Sequence, residues 1–463
     1  MRQKKNNQII LITAFVAFLV IFGVLHIILP QETISLDEGR RLKTFPKLTY
    51  KDAVTGKQAE KIEAWYNDQF PFRNSLITIG KSMRASLFPN LNPGGLALYQ
   101  INRDLMPDDP GDDDPDTPPA PIETSPPNQV VDPTGLSDPS GETGTSESTT
   151  PTTTKQEDPP IPTLPKENPV EKGGLVVMGT RVMERFYGDE KLLKNYANRL
   201  NTVKTTWGAN LNMYSMLIPT AIEIYAPEEY HSGYCSQQAC LDIFWNALNP
   251  GIGKVDSLDK LLRHRDEYIY YRTDHHWTGR GAYYAYVAFC EEAGWAPVPL
   301  SDMEHYQIEG TFLGSLWRAT NETALKDNPD TTEGWRPKVE SYTATAWDNP
   351  EMTVTYQIIL NDERCTGVNS YLNYSGGDRA LLKIVTSNSS GRKLLVTKDS
   401  FGNALVPYFA NHYDEIYVID PRYYVRPLKQ LVEENGITDY VAVNYMFAIS
   451  NPTWLGGFDK IIK

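Results

Sequence analysis

The sequence predicts an α/β protein: a mostly parallel central sheet covered by helices, carried behind an amino-terminal transmembrane helix. Three observations predict it. From Gly173 to the carboxyl end, short apolar runs alternate with amphipathic ones, the pattern of a sheet whose crossovers are helices. Residues 9–29 are predominantly apolar and follow Arg2, Lys4 and Lys5. Between these regions lies a long acidic, proline-rich stretch almost free of aromatic side chains.

The chain has 463 residues, room for two to three average domains. Residues 1–8 read as a cytoplasmic tail and 9–29 as the anchor. At ~1.5 Å per residue the apolar run spans roughly 30 Å, the thickness of a bilayer's hydrocarbon core. The basic residues before it keep the amino end inside and put the body outside the cell membrane. A cleaved signal peptide would show a small-x-small exit, and His26-Ile27-Ile28-Leu29-Pro30-Gln31-Glu32 has none.

Residues 30–104 form a membrane-proximal region with helical stretches at 55–70 and 74–87, separated by Pro71. Its aromatic segment Trp65–Arg73 is expected to pack on the main domain. Residues 105–172 read as a disordered linker, because Pro, Asp, Thr and Ser bury too little apolar surface to offset ordering entropy. The formal net charge is −14, and this segment explains it: from Asp104 to Val170 fifteen acids face two lysines. The remainder is near neutral, and nothing in it suggests the basic face that nucleic-acid binding needs.

Residues 173–463 carry the alternation. Strands are predicted at Leu175–Met178, Leu211–Ile218, Lys393–Thr397, Glu415–Ile419 and Asp439–Asn444. Helices are predicted at Asp189–Trp207, Val255–Leu262, Gly279–Glu292, Gly402–His412 and Pro427–Gly436. Residues 303–386 break the alternation and read as an excursion over the active face. Cys235 and Cys240 can close a small disulfide loop on an oxidising side, while Cys290 in an apolar helix reads as an inert core thiol.

Chemistry concentrates in two places. Asp274-His275-His276-Trp277 sets a carboxylate beside two imidazoles, and Lys398-Asp399-Ser400-Phe401-Gly402-Asn403 sets a serine between a strand and a helix. A serine hydroxyl attacks only when a base takes its proton, and imidazole titrates near neutrality. Spacing alone allows either His275 or His276 as that base, with Asp274 orienting the ring. Donors for an acyl oxyanion are expected among the backbone N–H groups near Ser400 and Phe401, with Gly402 following at the helix start as a further candidate. Asn403, Trp277, Arg422 and Asn444 are further substrate or oxyanion candidates. A metal reading of Asp274, His275 and His276 competes, but helical HExxH spacing is absent and no cofactor is expected. His26, His231, His264, His305 and His412 are scattered without ligand spacing.

The Asp274–Trp277 motif resembles the signature of the DHHW family of bacterial surface proteins, which is similar to the SGNH-like domains of periplasmic alginate O-acetyltransferases. The resemblance covers the anchor, Ser35–Leu42, Trp65–Arg73 and the chain from Gly173 onward. It implies an SGNH-hydrolase-like three-layer domain in which Asp274 orients His276, His275 is variable and Ser400 is the nucleophile. It also implies acetyl transfer to hydroxyls of an envelope or exported polysaccharide, beside a multispanning membrane acyltransferase. The same site can serve a carbohydrate O-acetylesterase, and a non-catalytic carbohydrate-binding or scaffold protein is the alternative. The usual Gly-Asp-Ser block is replaced by Lys398-Asp399-Ser400.

Overall fold

The computed structural model describes residues 34–35, 40–41, 45–46, 48, 50, 57–70, 158–163, 169–172, 174–231, 236–320, 322–348 and 350–463. The expected anchor at 9–29, the helical stretch at 74–87 and most of the acidic linker lie outside them. Among the described residues no helix is long and apolar enough to cross a membrane.

The first elements are local. β1 (Ile34–Ser35) pairs antiparallel with β2 (Arg40–Arg41). α1 (Lys57–Asp68) falls in the expected helical stretch, and Phe45 meets Trp65 edge-on at 4.9 Å. β3 (Val170–Lys172), β4 (Leu175–Met178) and β5 (Arg181–Glu184) form a separate antiparallel sheet. The strand expected at Leu175–Met178 exists, but its partner returns through a short turn at Gly179, φ +56°. So short a connection joins antiparallel strands only.

The amphipathic helix α2 (Glu190–Thr206) starts where Asp189 accepts the Leu192 N–H at 2.9 Å. Its buried residues Leu193, Tyr196, Ala197, Leu200 and Val203 recur at three and four, one face of a helix. β6 (Asn212–Ile218) follows, then α3 (Ala221–Tyr225), α4 (Gln237–Ala247), β7 (Ile252–Lys254), α5 (Ser257–Arg263) and α6 (Gly279–Glu292). α4 was not expected. Its buried Cys240, Leu241 and Phe244 keep helical spacing over only 11 residues, and Ser236 caps it.

The excursion contributes β8 (Glu304–Gln307), α7 (Ser315–Thr320), α8 (Thr323–Lys326), β9 (Glu333–Arg336), β10 (Tyr342–Trp347), β11 (Thr355–Gln357) and β12 (Leu381–Thr386). The chain closes with β13 (Lys393–Lys398), α9 (Gly402–Phe409), β14 (Glu415–Ile419), α10 (Leu428–Asn435), β15 (Asp439–Tyr445) and α11 (Pro452–Ile461).

The main sheet has eight strands in the order β11-β10-β12-β14-β13-β15-β6-β7. β14, β13, β15, β6 and β7 pair in parallel, and β12, β10 and β11 extend the sheet antiparallel. The excursion at 303–386 is therefore more than a covering loop: three of its strands complete one side of the sheet. Helices cover both faces. Tyr440 of β15 stacks towards Trp207 at the end of α2, while Tyr214 of β6 packs on Phe289 of α6. Successive strand residues point to opposite faces, so Tyr440 and its successor Val441, which pairs with Tyr214, mark the two sides. All seven β15 residues are buried, each large apolar one contributing about 1.5–3 kcal/mol.

One boundary of the expected linker moves. Asp158–Thr163 lies against α5: Lys260 Nζ reaches the Asp158 carboxylate at 2.6 Å. The guanidinium of Arg263 donates to the Pro159 carbonyl at 2.9 Å, and that of Arg265 to the Pro162 carbonyl at 2.6 Å. Prolines hold this piece extended, so its carbonyls face a row of basic side chains. With β3 at Val170–Lys172, the disorder expected up to 172 does not extend over these residues.

Cys240 is disulfide-bonded, and Cys235 lies outside the described residues. Cys290 and Cys365 are free thiols. Burial pushes the Cys290 thiol up to about 12, which suits an inert core position.

Candidate active site

Two loops meet at the carboxyl ends of the parallel strands. The first is a turn after β13. Gly402 donates its N–H to the Asp399 carbonyl at 3.0 Å and Asn403 donates to the Ser400 carbonyl at 3.2 Å, so α9 begins directly behind Ser400. A Cβ on Gly402 would stand 2.6 Å from the Lys398 Cβ, too close for any other residue to keep this turn.

The second loop runs from Tyr270 to Thr278. Tyr270 and Trp277 form an antiparallel bridge, which folds Thr273–His276 outward as a tip. Thr278 then caps α6 through the Gly281 N–H. The Trp277 indole N–H donates to the Phe401 carbonyl at 2.9 Å, fastening this loop to the serine turn. Gly314 lies behind Asp274, where a Cβ would stand 2.2 Å from the Asp274 Cβ. The carboxylate thereby reaches the Ser315 N–H at 2.8 Å.

These loops bring the three expected side chains into one hydrogen-bonded run. Asp274 Oδ1 accepts from His276 Nδ1 at 2.6 Å, and His276 Nε2 is 2.8 Å from Ser400 Oγ. A carboxylate only accepts, so Nδ1 carries the imidazole proton and Nε2 is free to accept from the hydroxyl. The same Asp274 oxygen also takes the His276 backbone N–H at 3.0 Å. Burial alone would raise the Asp274 carboxyl. The imidazoles of His275 and His276, the His276 hydrogen bond and the Ser315 N–H outweigh it, holding the group well below the usual carboxylate range. Asp274 is 4% exposed, and His276 and Ser400 are 7% exposed each. The run is sheltered from water.

His275 takes another course. Its Nδ1 pairs with Ser315 Oγ at 2.7 Å, and burial with the neighbouring His276 pushes it down to about 4, so it is neutral at ordinary pH. Asp274, His275 and His276 form the one group among the described residues whose ligand atoms lie close enough to share an ion, all within 4.8 Å. His276 has both ring nitrogens in the hydrogen-bonded run, however, and His275 Nδ1 is held by Ser315. The geometry is that of a base, not of an open ligand set.

The oxyanion and substrate candidates need correction. The Phe401 N–H donates to Asp399 Oδ1 at 3.0 Å, and the Gly402 N–H is taken by the Asp399 carbonyl. The Asn403 amide donates to Asp378 at 3.0 Å and accepts from Ser375 at 3.1 Å. Arg422 is held between Asp378 and Asp420. Asn444 accepts from Tyr196 and donates weakly to Asp399 at 3.4 Å, and the Trp277 indole is spent on Phe401. Each polar group is satisfied by protein, as burial demands. The Ser400 N–H, one of the donors expected at this turn, makes no hydrogen bond among the described residues.

Three contributors were not picked out from sequence. Tyr371 stacks on His276 with ring centroids 3.9 Å apart. Ser315 joins Asp274 to His275. Asp378 binds Lys398 at 2.6 Å beneath the serine turn, held low by Lys398 and Arg422 against its burial. The replacement of the Gly-Asp-Ser block by Lys398 was the one available sign of that ion pair. Asp399 stands apart: burial, against donors from Tyr445 and Phe401, pushes it up to about 6.

Comparison with known proteins adds a family and a fold. A family model described as DHHW protein matches residues 167–419, which include both loops. The crystal structure of a DHHW family protein from Eubacterium siraeum DSM 15702 is 34% identical, with TM-score 0.57, covering 64% of this chain and 98% of that one. Bacillus cereus PatB1 with a sulfonyl adduct is 17% identical, with TM-score 0.51, covering 60% and 98%; the likeness is one of fold. The O-acetyltransferase domain of Pseudomonas putida AlgJ aligns at 12% identity and TM-score 0.34, covering 63% and 99%. A search of curated proteins finds no match.

Proposed function

From the premise that the chain belongs to the DHHW family, we propose that it transfers acyl groups, acetyl above all, through a serine ester on Ser400. The reading rests on one observation, the hydrogen-bonded run from Asp274 through His276 to Ser400. The fold shared with PatB1, a protein that carries a sulfonyl adduct, agrees with it.

In this reading Ser400 Oγ attacks the carbonyl carbon of an acyl donor as its proton passes to His276 Nε2. Asp274 holds the ring in the right tautomer and faces the imidazolium. The oxyanion lies by the Ser400 N–H and the positive end of α9. When the tetrahedral species collapses, the donor's leaving oxygen takes the proton from His276, and the acyl group stays on Ser400. An acceptor hydroxyl then gives its proton to His276, attacks the ester carbon and leaves acylated, and the proton returns to Ser400 Oγ. A sugar hydroxyl as acceptor gives transfer. With an acylated sugar as donor and water as acceptor, the same steps give an esterase.

The sequence resemblance supplies the rest of the proposal: an SGNH-like three-layer domain, a polysaccharide of the envelope as acceptor, and a multispanning membrane acyltransferase as the acyl source. The apolar segment at 9–29 would anchor the body outside the cell membrane. A fluorophosphonate serine probe tests the chemistry on the full chain. Unaltered protein is expected to label and Ser400→Ala to remain unlabelled; a folded unaltered protein that does not label overturns the reading. Polysaccharide acetyl content in cells carrying Ser400→Ala separates the two directions, less acetyl meaning transfer and more meaning removal.

A further inference from the structure

Taking the acyl-transfer reading as its basis, we infer that Tyr371 is a positioning residue that sets the base and the nucleophile against each other. It lies in the 3-10 turn Gly367–Asn373 of the excursion, far in sequence from both loops. Its ring lies almost parallel to the His276 imidazole, 18° from coplanar with centroids 3.9 Å apart. Its hydroxyl donates to the Ser400 carbonyl at 3.0 Å. One side chain therefore touches the base by its face and the nucleophile's backbone by its tip.

The imidazole is flanked on both sides. His275 also packs at 3.9 Å from His276, and no ring contact joins His275 to Tyr371, so the two rings stand on opposite faces. Tyr271 and Tyr374 in turn meet Tyr371 edge-on, at 6.2 and 5.5 Å, which fixes the phenol's tilt. Burial pushes the Tyr371 hydroxyl well above its usual range, so it stays protonated and remains a donor. The ionisable groups facing His276 are Asp274, His275 and Tyr371 itself.

The chemistry gives this contact a differential role. His276 is neutral before reaction and cationic at the tetrahedral stage. An aromatic face attracts a cation more than a neutral ring, so the stack favours the charged stage, the condition for lowering a barrier. The hydroxyl separately fixes the carbonyl next to the reacting Oγ, where an error of ~1 Å costs on the order of 10²-fold.

Two substitutions in the full chain part these contributions. Tyr371→Phe keeps the ring and removes the hydroxyl; Tyr371→Leu keeps water from the imidazole face but lacks π electrons. Probe labelling is measured against pH, beside the melting temperature of each protein. Tyr371→Phe is expected to slow labelling by roughly tenfold with its pH midpoint unmoved. Tyr371→Leu is expected to slow it by ~10²-fold and to lower the midpoint by about half a unit. Rates and midpoints equal to those of unaltered protein, in variants that melt normally, overturn the inference. A midpoint displaced equally in both variants overturns the part assigned to the ring, and a Leu variant that fails to fold leaves the Phe variant's rate to decide. An unaltered protein that does not label sinks the acyl-transfer reading instead. NMR titration of His276 still reads the stack in that case, and equal midpoints in unaltered and Leu proteins overturn it.

Discussion

His275 and His276 are adjacent, yet their ring nitrogens serve different partners. His276 spans Asp274 and Ser400, whereas His275 Nδ1 is held by Ser315. His276→Ala is therefore expected to slow probe labelling by at least ~10³-fold, and His275→Ala by no more than ~10-fold. Equal losses would show that His275 shares the proton transfer. Acid should also weaken the fold through its buried histidines. His275 and His412 are pushed down to about 4, chiefly by burial, while the unfolded chain protonates them near 6.5. Stability is thus lost as pH falls from about 6.5 towards 4. Asp399, pushed up to about 6, acts oppositely over that window, as do Glu223, Asp256 and Asp439, whose carboxyls burial raises. His412→Gln removes one acid-sensitive group, so between about pH 6.5 and 4 its melting temperature is expected to fall less, or rise more, than that of unaltered protein; identical pH profiles for the two proteins would contradict the part assigned to His412. Asp274 and Ser400 were legible as local patterns, an acid beside a histidine pair and a serine between a strand and a helix, whereas spacing left His275 and His276 both open and the family resemblance alone pointed to His276. The fate of the Asn403, Arg422 and Asn444 side chains was not, because it depends on neighbours such as Asp378 and Tyr196 that only the fold supplies.

The short helix α7 illustrates how an element serves the site without touching Ser400. Its first residue, Ser315, gives its N–H to Asp274 and pairs its hydroxyl with His275 Nδ1, and Gly314 before it makes room for the carboxylate. Gly314→Ala would drive a methyl group into Asp274. It is expected to destabilise by about 1–3 kcal/mol and to slow labelling by ~10²-fold; thermal melting and probe kinetics check the two effects together. Unchanged labelling in a normally melting variant would mean that α7 yields without moving the acid. Elements with a clear period were readable in advance: α6 spans the expected Gly279–Glu292 and β14 the expected Glu415–Ile419. The excursion was not. β10 joins the sheet by pairing with β12, and β12 in turn pairs with β14; such long-range pairing leaves little local signature in a stretch rich in Gly, Asn and aromatic residues.

Across the whole molecule, the acidic stretch divides into an end that binds the domain and a remainder outside the described residues. Lys260 is nearly buried, its side chain 6% exposed between Asp158 and Glu291. Removing residues 107–157 is expected to leave the melting temperature unchanged, whereas removing 107–163 should lower it by a few degrees. Equal melting of both proteins would show that the strap at 158–163 adds nothing. The main sheet has a further consequence at its two margins. β7 and β11, the outermost strands, contain three residues each. Stubs of that length offer a neighbouring copy too few free amides and carbonyls to extend the ladder. Many copies crowded side by side would thus resist zipping into fibres, although five of the eight strands are buried and strongly apolar.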